Sequence, residues 1–169
     1  YSQNVNSPAS DNIDPRYYGP TCTSSSLSAA HMLAKAAWFS NEYGVWSGDA
    51  PSWQNRAASC WAHGVAALNS STLETDCDDG SIVAGDADRT AAQQEETALA
   101  TAVYLFALTG QATYQDFLLS RAYNLPQLNN NYWTPYTLHI GDALIRYTSL
   151  AGHNPNLGVD IESSLTQFN

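Results

Sequence analysis

Carboxylates are the first residues in this chain that could do chemistry. Asp86 and Asp88, followed by Glu95 and Glu96, lie close enough in sequence to offer a general acid and a general base. The plainer reading is that they cap a helix beginning near residue 91 and complement its dipole. Upstream, Asp76, Asp78 and Asp79 carry the oxygen ligands that calcium prefers, but no Glu completes an EF-hand loop. A solvated acidic loop is the expectation there, with calcium as the alternative. Tyr17, Tyr18, Tyr132 and Trp133 sit in loop-like stretches rich in Pro and Asn. Such rings offer flat apolar faces on which sugars can stack, or they pack helix mouths as ordinary amphipathic aromatics. His31, His63, His139 and His153 are too scattered for a metal site or a nucleophile–base pair and read as structural. Trp38, Trp53 and Trp61 read as core. The sequence has neither a Gly-rich phosphate loop nor a Gly-x-Ser-x-Gly elbow.

Cys22, Cys60 and Cys77 are odd in number, so at most one disulfide forms within the chain. Their spacing suggests no zinc site. Three inert buried thiols are expected, with a disulfide through Cys77 as the other reading. Asn69-Ser70-Ser71 matches a glycosylation sequon, a triplet that also arises often by chance.

These residues need a scaffold, and 169 residues suit a single domain, 1–169, with 1–20 as an extended lead-in loop. Hydrophobic residues make up 44% and charged residues only 13%, so the chain is globular and draws its polar surface from Ser, Thr, Asn and Gln. With ten Tyr and five Trp, that composition is common among secreted proteins that handle neutral polar substrates such as sugars. The net charge of −10 argues against nucleic acid and against anionic membrane surfaces, both of which are bound through Lys and Arg. No apolar run approaches the length of a membrane span. Tyr1 is not a natural start, so the front of the chain is expected to have been processed or cut.

Periodicity predicts an almost wholly helical fold. Leu27, Ala30, Ala34, Ala37 and Trp38 form one stripe of a helix over 23–43, capped by Ser24 or Ser25 and ended by Gly44. A second helix is predicted over 51–68, starting at Asp49 and Pro51. A third covers 91–109, with Thr90 and Gln93 at capping-box spacing and Gly110 as its stop. A short fourth runs from Thr113 to Tyr123. The fifth begins at Thr134-Pro135 and runs to Leu150, and the sixth begins at Asn154-Pro155 and runs to Thr166. Short and long connections alternate, which suggests stacked antiparallel αα-hairpins. The long connections would then share one face, bringing PRYYGP together with TDCDDGSIVAGDADR and NLPQLNNNYWTP.

In this order and spacing, three stretches resemble glycoside hydrolase family 9 catalytic domains. RYYGPTCTSSSLSAAHMLAKAAWF is similar to the family's Pro-Arg-Tyr segment leading into an Ala-rich helix. ETALATAVYLFALTGQATYQDFL is similar to its helix, Thr-Gly turn and helix, and AGHNPNLGVDIESSLTQ to a later proline-initiated helix. The likeness runs from about Pro15 to Gln167. It implies an (α/α)6 barrel and inverting hydrolysis of β-1,4-glucosidic bonds, a step that needs two carboxyl groups about 6.5–9.5 Å apart with a water between sugar and base. The family's Asp-Ala-Gly-Asp base motif and its acid motif do not occur here; Val83-Ala84-Gly85-Asp86 keeps a fragment of the first. The chain therefore resembles about half of the barrel and is expected to be inactive alone, with no acid or base assigned beyond the candidates Asp86 and Asp88. The expected partners are a β-glucan on the long-loop face, through Tyr17, Tyr18, Tyr132 and Trp133, and either the remaining helices or a second copy on the exposed inner face. The rival is a non-catalytic helical module binding carbohydrate or protein through the same loops.

Overall fold

The computed structural model describes residues 22–70, 72–77 and 88–168. The lead-in loop 1–20 with Tyr17 and Tyr18, and the acids Asp78, Asp79 and Asp86, lie outside the described residues. Every regular element among those described is helical, as the periodicity predicts.

The first helix, α1 (Thr23–Tyr43), buries Leu27, Ala30, Ala34 and Ala37 at three- and four-residue spacing. It ends at Gly44, whose φ of 68° is the left-handed conformation that an L side chain resists. Its start differs from the expectation. Ser24 and Ser25 lie inside the helix, and Cys22 holds the extended N-cap position without a side-chain cap. A tertiary network anchors this end. The Thr23 hydroxyl donates to Gln94 Oε1 at 2.7 Å, and Gln94 Nε2 donates to the carbonyls of Glu74 at 2.6 Å and Arg89 at 2.9 Å. A disulfide joins Cys22 to Cys77, with Cα atoms 5.6 Å apart. The expectation of three free thiols is thereby corrected; Cys60 alone is free.

α2 (Ala50–Leu68) lies along α1, with Gly64 near its end against Leu27 near the start of α1. α3 (Ala91–Thr109) is the centre of the fold. It packs against α1, α2, α4 (Ala112–Arg121) and α6 (Leu138–Thr148). Every residue from Ala98 to Phe106 is buried, so this stretch has no solvent face. The sequence pattern picks out only Ala98, Leu99, Ala102, Val103 and Phe106, because Thr101 and Tyr104 interrupt the stripe. The capping box is present: Thr90 accepts from the Gln93 N–H, and the Gln93 side chain accepts from the Thr90 N–H at 2.9 Å. Thr90→Ala is expected to cost about 1 kcal/mol, read as a lower urea midpoint with an unchanged slope.

Gly110 and Gln111 join α3 to α4. Arg121 at the end of α4 returns to the start of α3, donating to Glu95 Oε1 at 2.7 Å, and to Asn69 Oδ1 at the end of α2. The stretch read as a long loop after residue 124 holds the short helix α5 (Pro126–Asn129). The fifth predicted helix is divided. Thr134 caps a 3-10 turn, Pro135–Thr137, and the α-helix proper, α6, begins at Leu138. α7 (Pro155–Gln167) starts at the Asn154 cap and packs on α6 and α5. Its end lies near the segment preceding α6, where Trp133 Nε1 donates to Ser164 Oγ at 3.1 Å.

Candidate functional site

α1 and α6 both rest on α3, and their side chains meet across it. Lys35 of α1 donates to Asp142 Oδ2 of α6 at 2.7 Å, and the Tyr104 hydroxyl of α3 donates to the same oxygen. The Lys35 ammonium also stands 5.6 Å from the Tyr104 ring centroid. One helical turn earlier, the rings of His31 and His139 approach edge to face at 6.0 Å. One turn beyond Asp142, the Arg146 guanidinium lies 4.5 Å from the Trp38 ring centroid. Histidine, lysine, tyrosine and aspartate from three helices thus converge on one seam.

Electrostatics follow from this packing. Burial works to raise the Asp142 carboxyl, but hydrogen bonds from Lys35 and Tyr104, with the Lys35 and Arg146 charges, hold it below the usual carboxylate range. It is ionised at neutral pH and already committed, which unsuits it to donating a proton. Burial, the hydrogen bond to Asp142 and its charge push the Tyr104 phenol up, so it stays neutral. Burial brings His31 down to about 4, helped by His139 and Lys35 and opposed by Asp142. Burial and Lys35 lower His139 as well. Both rings are neutral at pH 7. His31 Nδ1 and His139 Nε2 are buried and have no hydrogen-bond partner among the described residues.

Two cavities flank the seam and share Lys35. The larger, about 820 Å3, is walled by Trp133, Thr137, Leu138, His139 and Asp142. The smaller, about 510 Å3, runs beside α1 between His31, Met32, Phe39, Trp46 and Trp53.

Of the aromatic candidates, Trp133 borders the larger cavity, but it is 8% exposed and its indole N–H is engaged by Ser164. It is a packed wall whose edge reaches the cavity. Tyr132 is exposed and lies outside the walls of either cavity. Asp88 Oδ1 accepts the Cys77 N–H at 2.5 Å, and Glu95 pairs with Arg121 at 2.7 Å. These contacts hold the start of α3. Glu96, next in sequence, is pushed up by burial. Asp76 is exposed, and no group of three metal-ligating side chains occurs among the described residues. Of the histidines, His153 makes the expected structural bond through Nδ1 to the Leu150 carbonyl at 2.8 Å. His31 and His139 correct that expectation by carrying unpartnered nitrogens. Of the tryptophans, Trp61 is buried and donates to the Ala98 carbonyl at 2.9 Å, whereas Trp38 and Trp53 are half-buried.

Sequence reasoning missed the seam. Its local signal was present: His31 and Lys35 are four apart, and His139 and Asp142 three apart, on predicted helices. What it lacked was the pairing of α1 with α6. No protein-family model, curated protein or solved structure matches the chain. No helix among the described residues is long and apolar enough to cross a membrane.

Proposed function

We propose that the chain is part of a secreted glycoside hydrolase that cleaves β-1,4-glucan with inversion, and that its helices are antiparallel αα-hairpins making about half of an (α/α)6 barrel. The observation that carries this reading is the order of contacts. The start of α1 meets the end of α2 through Leu27 and Gly64, and the start of α3 meets the end of α4 through Glu95 and Arg121. The approach to α6 meets the end of α7 through Trp133 and Ser164. α3 touches both α1 and α6, which fits inner helices side by side with α2, α4 and α7 outside. The disulfide suits an oxidising compartment.

An apolar surface supports the same reading. Met32, Phe39, Trp46, Leu138 and Ile145 are all exposed and line the two cavities beside the seam. Half a ring would present such a face to its remaining helices or to a second copy. The acids leave room for a second reading. Asp88 and Glu95 are engaged in structural contacts, which favours a module that binds glycan or a protein partner without cleaving it.

Calorimetric titration with cello-oligosaccharides, run beside a reducing-end assay and size-exclusion chromatography, tests both. The chain alone is expected to bind, to release no reducing ends, and to elute as an associated species. The full natural gene product is expected to hydrolyse β-1,4-glucan and to release the inverted anomer, followed by NMR. Binding without turnover by that full product leaves the module reading. A well-behaved monomer with no affinity for the oligosaccharides removes the hydrolase reading and the glycan-binding form of the module.

A further inference from the structure

We propose that the facing rings of His31 and His139 form an acid-operated latch that holds α6 against α1 while both are neutral and releases it when they are protonated. The latch stands apart from the glycan reading and rests on the geometry of the seam. α1 and α6 meet there through side chains, chiefly this ring pair and the Lys35–Asp142 contact. Both partners of that ion pair are nearly half exposed, with side chains 45% and 47% accessible, so it is weak cement. The half-buried ring contact, with one buried nitrogen on each ring, is the part of the seam that closes only in one protonation state.

A neutral imidazole can leave one nitrogen as a bare lone pair at modest cost. His31 Nδ1 and His139 Nε2 occupy that position, buried without a partner among the described residues. Protonation turns each into an N–H donor with no acceptor beside it, and a buried unsatisfied charged donor is expensive. At His31 the surrounding charges oppose protonation on balance: Asp142 favours it, but His139 and Lys35 work against it. α1 contributes Lys35, α3 contributes the neutral Tyr104 phenol, and α6 contributes Arg146 and Asp142. Asp142 already serves Lys35 and Tyr104, so two imidazolium rings 6.0 Å apart would face Lys35 with no other carboxylate at the seam among the described residues. The way to solvate both buried nitrogens is to part α6 from α1. The depressed basicity of the two histidines has the same origin.

The sign follows from linkage. A ring held near 4 in the closed seam and near 6.5 when open binds protons preferentially in the open form. Closure is therefore complete above the open-state value and is lost as pH falls toward the closed-state value. At about pH 4.5, His31 alone shifts the balance toward opening by up to about 100-fold. Hydrogen–deuterium exchange over residues 138–148, corrected for the intrinsic pH dependence of exchange, should rise about 10-fold or more between about pH 7.5 and pH 4.5. The double variant His31→Gln/His139→Gln should lose that response. NMR titration of the wild-type imidazoles, which needs no variant, should place both midpoints below the ordinary histidine value. Equal acid responses in wild type and variant, or ordinary midpoints with a seam that stays closed, overturn the latch.

Discussion

Replacing both Cys22 and Cys77 by alanine should lower stability by about 4 kcal/mol, the largest single effect expected in this fold. The bond spans 55 residues, and the entropy lost by a closed loop of that length in the unfolded chain gives that magnitude. It encloses α1, α2 and the segment 72–77, which carries the Glu74 carbonyl that Gln94 reads. The covalent tie and the Thr23–Gln94 network therefore hold the same corner, where α1 and α3 both begin. Against a typical domain stability of about 5–15 kcal/mol, the loss is severe. For a chain of this length it corresponds to a fall in melting temperature of about 10 °C. Urea unfolding of the double variant beside the oxidised wild type measures it, and reduction of the wild type should reproduce most of the shift. Coincident unfolding curves would show that the bond constrains nothing that the packing does not already fix.

The second large effect concerns Gly64. A β-carbon there would stand 2.5 Å from Leu27 Cγ, against a side chain with no exposed surface. Real Cβ contacts are never that close, so Leu27 or the helix itself must move. Gly64→Ala should destabilise by about 1–3 kcal/mol through overpacking, even though alanine is the better helix former by about 1 kcal/mol. Leu27→Ala alone should cost about 3 kcal/mol, from lost transfer energy and the void it leaves. In the double variant the new methyl occupies part of that void, so the combined loss should fall short of the sum by about 1 kcal/mol or more. A double-mutant cycle in urea tests the coupling. Strict additivity would mean that the two helices do not touch at this point.

Both cases mark the boundary of what the sequence discloses. Helix ends were legible where local chemistry sets them. Gly44 and Gly110 stop α1 and α3 in left-handed geometry, Thr90 with Gln93 opens α3, and Asn154 opens α7. The start of α1 was misread because its anchor is tertiary: Gln94 and the Cys77 bond fix a helix that two serines looked able to cap. α5 was hidden because Pro126–Asn129 is too short to show a period. The disulfide could not be chosen because three cysteines permit several pairings, and only the return of 72–77 to the start of α1 selects one. The seam was illegible for a related reason. His31 and His139 are 108 residues apart in number, and nothing in either helix alone says that the other will lie across α3 from it.

The enclosure of α3 also limits how this chain can vary. Over Ala98–Phe106 no position faces outward, so none is free to drift toward charge or bulk as a surface residue can. Each replacement must match its predecessor in size and in polarity, within a helix that packs against four others. Descendants of this sequence should therefore diverge around that stretch while its close-fitting residues stay nearly the same.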